Sequence, residues 1–408
     1  MKKHRILWII ILFAFATVLF FSNDFGLIDV EKEAIITAVA IDNEDGKYSV
    51  TVQIAVPEAT STSAQNTKTQ ITGKGDTIGG AIKNTGDVSG WFPQLAFCNL
   101  IIIGNSLCST DIIKVLDFFA KTLRVQDSAQ IVLADNSARE LLEKTTPLDN
   151  ISSFAIQKIL FKNPGFDTDV ATNDIKTFCA GYYDLSGSSF MPIVKVLDFN
   201  AKQENSNGSS SQGQQGSNGQ QSSSDGSSGG GSEDKGKNFF DASTTALFLK
   251  GIKVGELNEA QTHAFNFLWR NVKGTTLSVN YSGANEIERY LLKVLRCNTK
   301  TKLKADDKGI KMKVEVDIYC KIADHNSGDH NANLSNNKPL PNDLIEQTEN
   351  ILKNNFNDLF KVSKQTNCDF LQIRQRLYRF GHKYYERYQK DCLDLVKPEI
   401  SVRISGQK

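Results

Sequence analysis

The sequence lacks most of what marks a catalytic or cofactor-binding chain. No GxGxxG, GxxxxGKS/T or HExxH run occurs in its 408 residues, and Gly73-Lys74-Gly75-Asp76 is too short for a phosphate loop. Charge of one sign is also missing. Lys plus Arg number 47 and Asp plus Glu 46, so the net charge is +1 and no global field draws nucleic acid or a strongly acidic ligand. Seven cysteines are present (Cys98, Cys108, Cys179, Cys297, Cys320, Cys368 and Cys392), without a CxxC or a Cys/His zinc spacing. An odd number cannot all pair. Several sit in apolar or alternating runs and read as small buried hydrophobes, with one disulfide left open. No enzyme activity, cofactor or metal is expected from these residues.

What is present is of three unlike kinds. Apolar residues make up 40% and charged residues 23%, near ordinary globular usage, so most of the chain folds. A mean hydropathy of -0.31 is nevertheless low for a chain that begins so apolar. Lys2, Lys3 and Arg5 precede a run without charge from Ile6 to Phe21. As a helix it spans about 24 Å, between a signal peptide and a full bilayer span. The residues after Val18 make a poor cleavage site, which favours an uncleaved anchor over 1–23. The positive-inside rule then puts Lys2, Lys3 and Arg5 in the cytoplasm and everything after Asn23 outside. A buried core helix is the alternative; the position behind a basic cluster at the N-terminus argues against it.

The dilution comes from Gln203–Lys237, where 11 of the residues are Ser, 9 Gly and 6 Gln and none is aliphatic or aromatic. Such a segment cannot bury enough surface to offset its ordering entropy, so it is predicted to be a flexible coil. It is either a linker between domains or a long loop inserted at one point. The fold class predicted is α/β, in a mixed α+β arrangement: a membrane anchor, then two or three domains, each with a mainly antiparallel or mixed β-sheet and packed helices. The boundaries read as 24–201 for an N-terminal domain, 202–237 for the polar segment and 238–408 for a C-terminal domain.

Within the first domain, Ala34–Asp42 and Tyr48–Pro57 flank an Asp45-Gly46 turn and read as a hairpin, the second strand burying one face through Val50, Val52, Ile54 and Val56. Asp76 is placed to cap a short helix ending near Gly86. Leu95–Gly104 reads as a buried strand, Asp111–Leu123 as an amphipathic helix, and Ser137 with Glu140 as a capping box. In the second domain a helix is predicted over Asn258–Trp269. A long hairpin follows around Asp306-Asp307-Lys308-Gly309, then helices over Asp343–Lys361 and Phe370–Tyr388, then a final strand at Ile400–Ile404.

Two clusters carry possible chemistry. His325 and His330, with Asp324 and Asp329 beside them, have the donors for a metal, or form a polar loop. The segment Arg374–Lys390 interleaves Arg374, Arg376, Arg379, His382, Lys383, Arg387 and Lys390 with Tyr378, Phe380, Tyr384, Tyr385 and Tyr388. That is a nucleic-acid face, or a solvated helix face lying near anionic headgroups; the neutral charge of the chain favours the second.

The run from Asp24 to Pro57 resembles the start of the Ger(x)C family, the C subunits of bacterial spore germinant receptors. Ala34-Ile35-Ile36-Thr37-Ala38-Val39-Ala40-Ile41-Asp42 is similar to that family's A-I-V-T-A-I-G-I-D, and Asp29-Val30 stand where its E-I would be. Leu95–Leu107, Asp117-Phe118-Phe119, Ala138–Leu142, Met191-Pro192, Thr245–Leu257, Phe380-Gly381 and Ile400–Gly406 continue the resemblance in order. One departure matters. The family's lipobox cysteine would fall at Asp24, with Phe25 at the usual Trp, so acylation there is ruled out and the Ile6–Phe21 run would replace the acyl chains. Glu33 also replaces a usual Leu.

The resemblance implies a non-enzymatic, membrane-tethered subunit of a nutrient germinant receptor. Its bulk would lie on the outer face of the spore inner membrane, beside polytopic A-type and permease-like B-type subunits, with no nucleic acid. The alternative from the residues alone is an extracytoplasmic binding module for a small nutrient or a cell-wall fragment. A wall-active enzyme ranks last for want of a site.

Overall fold

A computed structural model of the chain describes residues 6, 8, 10–17, 33–55, 70–121, 125–149, 151–160, 169–198, 238–270, 272–282, 287–326 and 339–406. Lys2, Lys3, Arg5, Asp24, His330 and the tract 203–237 lie outside them. So does much of the expected anchor, although residues 10–17 are helical. Among the described residues no helix is long and apolar enough to cross a membrane.

The predicted hairpin is present as β1 (Glu33–Glu44) and β2 (Lys47–Ile54), with Asp45 at φ 53° and Gly46 at φ 80° making the tight turn that twisted strands require. One expectation fails here. Both faces of β2 are buried: Ser49, Thr51 and Gln53 are as covered as Val50 and Val52. The reason is that helices lie on both sides of this sheet, which removes the polar-out face that alternation suggested.

The next elements are β3 (Gln70–Gly75), α1 (Ile78–Ser89), β4 (Phe92–Gln94), β5 (Leu100–Ile103), α2 (Ile113–Lys121), β6 (Gln130–Ala134), α3 (Ala138–Glu143) and α4 (Ser152–Leu160). After them come β7 (Asn173–Asp174), α5 (Ile175–Tyr183) and β8 (Ser188–Asp198). Thr77, not Asp76, caps α1, through a bond from the Gly80 N–H, and the helix runs on to a left-handed Gly90. Gly73 and Gly75 are strand residues under that helix. A Cβ on Gly73 would lie 2.3 Å from the Ala81 carbonyl oxygen, so the glycines serve helix–strand packing. Leu95–Phe97 forms a 3-10 turn ahead of β5, which shortens the predicted strand to Leu100–Ile103.

The strands that follow the tract are β9 (Asn238–Leu249) and β10 (Ile252–Leu257). They pair onto β8, not onto a second sheet. The first sheet is ten-stranded, in the order β10-β9-β8-β6-β5-β1-β2-β3, with β4 and β7 beside β1 and β6. β1, β5, β6 and β8 are parallel, and the outer strands are antiparallel. The boundary drawn at residue 238 therefore falls inside this sheet. Asp198 pairs with Asn238, so the tract leaves and re-enters at one antiparallel strand pair. Of the two sequence alternatives, that register supports the inserted loop. One face of the sheet packs under α1, α2 and α5, and the other under α3 and α4.

After α6 (Glu259–Trp269), opened by a capping box of Asn258 and Gln261, the chain builds a second sheet. Its strands are β11 (Thr276–Ser282), β12 (Ile287–Asp306), β13 (Gly309–Asn326) and, closing the chain, β14 (Val396–Gly406), in that spatial order. The 18-residue β13 is about 60 Å long at ~3.4 Å per residue. Ile310, Met312, Val314, Val316, Ile318 and Cys320 are buried in alternation, as their period of two requires.

The second core also takes in α7 (Asn342–Gln365), whose Leu344, Thr348, Leu352, Phe356 and Leu359 follow helical spacing. Ile351, next to Leu352 in the same helix, is exposed. The helix predicted over Phe370–Tyr388 is two, α8 (Ile373–Phe380) and α9 (His382–Tyr388), broken at Gly381. A Cβ there would stand 2.9 Å from Leu377 Cδ1 and 3.2 Å from Ala305 Cβ. A short α10 (Cys392–Leu395) leads into β14. Phe190, Leu247 and Leu257 of the first sheet belong to this second core, so the two bodies share apolar contacts.

Candidate functional site

Ligands of open α/β sheets sit beyond the carboxyl ends of the parallel strands. At that end of β1 stands Asp42, buried, the last residue of the AIITAVAID run. Its Oδ1 accepts the Ala138 N–H at 3.0 Å, and its Oδ2 accepts the Arg139 N–H at 2.9 Å and the Ser137 hydroxyl at 3.1 Å. Ser137 in turn accepts the Glu140 N–H at 3.3 Å. The carboxylate thus satisfies the unpaired donors at the start of α3 and lies at the positive end of its dipole. Gly104, at the end of β5, closes over it: a Cβ there would meet Asp42 Oδ1 at 1.9 Å. The N–H groups at the start of α3, which are suited to an anion, are thus occupied by the protein's own carboxylate.

A second buried acid joins the two bodies. Asp369 lies in the turn between α7 and α8, where Asn367 (φ 51°) and Gln372 (φ 59°) are both left-handed. Its Oδ1 and Oδ2 accept the Ile373 and Arg374 N–H groups at 2.6 and 2.7 Å, and its own N–H donates to Ser188 Oγ of β8 at 2.9 Å. Cys368 Sγ donates to the Phe248 carbonyl of β9 at 3.3 Å. Burial pushes the Asp369 carboxyl up to about 6, while the two N–H donors and the Arg374 charge oppose that rise. Arg376 nearby is held below its usual value by burial, and its buried Nε has no hydrogen-bond partner among the described residues. Thr366 packs on Gly255, and Arg270 donates to the Thr172 carbonyl at 2.6 Å and to its hydroxyl. The sequence places Asp369 between two predicted helices, and Asn367-Cys368-Asp369 is a turn-prone, cap-competent triplet. The burial of Asp369 is not legible there, because its partner Ser188 lies 181 positions away.

The residues singled out in the sequence are not brought together. His325 ends β13 and stacks on Tyr290 with ring centroids 5.2 Å apart. Among the described residues no group of three or more His, Cys, Asp or Glu is placed to hold a metal. The basic and aromatic residues of α8 and α9 separate into two layers. Tyr384, Tyr385 and Tyr388 pack on the second core, and Tyr388 donates to the Asp306 carbonyl at 2.9 Å. Arg387 lies over the Tyr388 ring and bonds Asp307, while Arg374 donates to the Gln389 carbonyl. All seven cysteines are free. Burial pushes the thiols of Cys98, Cys368 and Cys392 up to about 12 and those of Cys297 and Cys320 up to about 11, which leaves no nucleophilic thiolate among them at neutral pH. A cavity lined by Ala34, Ile36, Val52, Thr85 and Trp91 has a volume of about 10 Å³, room for one water.

Residues 27–196 match the family described as "Spore germination protein N-terminal domain". Residues 243–405 match "Spore germination B3/GerAC like, C-terminal". No curated protein matches the chain. A solved structure described as the crystal structure of the GerBC protein superposes with a TM-score of 0.51 at 13% identity, covering 91% of this chain and 97% of that one. At that identity the likeness is one of fold.

Proposed function

The chain belongs to the Ger(x)C family of spore germination proteins, and we propose that it serves as the non-enzymatic, membrane-tethered C subunit of a nutrient germinant receptor. The observation that carries this reading is the pair of family domains, matched in order on both sides of the tract. The use of the buried polar groups agrees with it. Asp42 and Asp369 are each bound to helix N–H groups, and the buried thiols are held protonated, so these groups position elements instead of meeting a substrate. In this reading Lys2, Lys3 and Arg5 stay on the cytoplasmic side. The run Ile6–Phe21 holds the chain in the spore inner membrane in place of the acyl group that Asp24 cannot carry. The folded bodies lie on the outer face beside polytopic A-type and permease-like B-type subunits.

The test is affinity purification of the full chain from spore membranes solubilised in mild detergent. Co-purification of a polytopic subunit and a permease-like subunit is the expected result. Recovery of the chain alone, with saturable binding of an amino acid, sugar or muropeptide, would replace this reading with that of a binding module.

A further inference from the structure

Large apolar side chains stand uncovered at one end of the first sheet. Trp91 is 48% exposed, Phe92 50%, Phe97 58% and Val88 69%, with Ile35 beside them at 39%. Topology places them together. β4 runs parallel to β1 with Phe92 opposite Glu33 and Gln94 opposite Ile35. Val88 lies in the last turn of α1, three residues before Trp91, whose N–H is held by Ser89 Oγ at 3.2 Å. Phe97 lies in the turn just ahead of β5, where the Asn99 N–H bonds the Thr37 carbonyl of β1. This is the end opposite Asp42, and it surrounds the point where the chain enters β1.

We propose that this Trp/Phe end seats in the interfacial layer of the lipid bilayer, holding the first sheet with the entry of β1 against the membrane. The inference rests on the tethered reading given above. Three observations select lipid as the occupant. The first is reach: eleven residues, 22–32, separate the apolar run from Glu33, so the entry of β1 stays within about 40 Å of the run even if they are fully extended. The second is that the described part of the run does not cover the patch. Leu12 and Phe13 in its helical part are 70% and 75% exposed, so among the described residues nothing covers either the run or the patch. The third is composition: three of the five residues are Trp or Phe, the types that favour the headgroup boundary of membranes.

The test uses the full chain reconstituted in vesicles of equimolar phosphatidylcholine and phosphatidylglycerol. Trp91 emission is read as the difference between a W8F chain and a W8F/W91F chain, which leaves the core residue Trp269 untouched. Expected are a blue-shifted maximum, loss of emission when the lipids carry brominated acyl chains, and no loss with aqueous iodide. F92S/F97S should restore iodide quenching while the chain still floats with the vesicles. Iodide quenching in the W8F chain that floats normally overturns the membrane seat and leaves the tether standing. Shielding from both quenchers overturns it in favour of a protein occupant, a second copy or a receptor partner. Failure of the full chain to float overturns the tether as well as the seat.

Discussion

Gly104 lies so close to Asp42 that any side chain on it would occupy the space of the carboxylate: a Cβ would fall 1.9 Å from Oδ1. The two residues end neighbouring parallel strands, and the Gly104 N–H bonds the Ile41 carbonyl at 2.8 Å. Each therefore constrains the other. Asp42→Ala removes an acceptor for three donors at the start of α3 and is expected to cost about 2–3 kcal/mol. Gly104→Ala is expected to cost about 1–3 kcal/mol by overpacking. The double variant should cost less than the sum, because removing the carboxylate vacates the space the new methyl needs. Urea denaturation of the four proteins measures this, and strict additivity would show that the two sites are independent.

Asp369 makes stability depend on pH in an unusual direction for a carboxylate. Its folded value of about 6 lies above the ordinary 3.8, so the folded state holds this proton more tightly. Its contribution is fully present below about pH 4 and is lost as pH rises through about 6. A rise of that size corresponds to about 3 kcal/mol. In urea midpoints between these limits, the wild type should lose stability relative to Asp369→Asn as pH rises. Parallel pH profiles for the two would refute the assignment.

The tract closes a hairpin between Asp198 and Asn238, which face each other across β8 and β9. Replacing residues 199–237 by a turn of about four residues should therefore stabilise the protein by about 2 kcal/mol through reduced loop-closure entropy. A linker between independent domains would give the opposite outcome, since shortening it would strain the join. A single unfolding transition at higher denaturant is expected.

Thiol reactivity should divide the cysteines. Burial raises all seven thiols, but Cys108 and Cys179 are only half-buried, whereas the other five are buried and raised to about 11 or 12. Alkylation of the native chain followed by peptide mass spectrometry is expected to modify only those two. Rapid labelling of Cys98 or Cys368 would mean that the cores open more readily than their packing implies.

The break at Gly381 is testable in the same way. Gly381→Ala places a methyl against Leu377 and Ala305, and no continuous helix can form without moving α9 off the β12–β13 turn held by Tyr388 and Arg387. Destabilisation of about 1–3 kcal/mol is expected, with increased exposure of Tyr384 and Tyr388 in tyrosine fluorescence. A gain in stability would mean the glycine only interrupts a helix.

Much of the fold was legible in the chain. Hydrophobic period two marked β2 and β13, period 3.6 marked α7, and Asp45-Gly46 and Ser137 announced a turn and a cap; each is a property of a few consecutive residues. The resemblance carried by Ala34–Asp42 led to the family. What Asp42 does there was not visible, because its partners Ser137, Ala138 and Arg139 lie 95 or more positions away.

Only the assembled molecule decided where Asn238–Leu257 belongs, that both faces of β2 are covered, and that Asp369 is sealed under Ser188 and Phe248. Those outcomes depend on which strand found which neighbour. Backbone hydrogen bonds are alike in every strand, so pairing between strands far apart in the chain leaves little mark in the residues that pair. The exposed aromatic end around Trp91 belongs to the same class: only the folded sheet brings these side chains together beside the entry of β1, where the described residues leave them exposed.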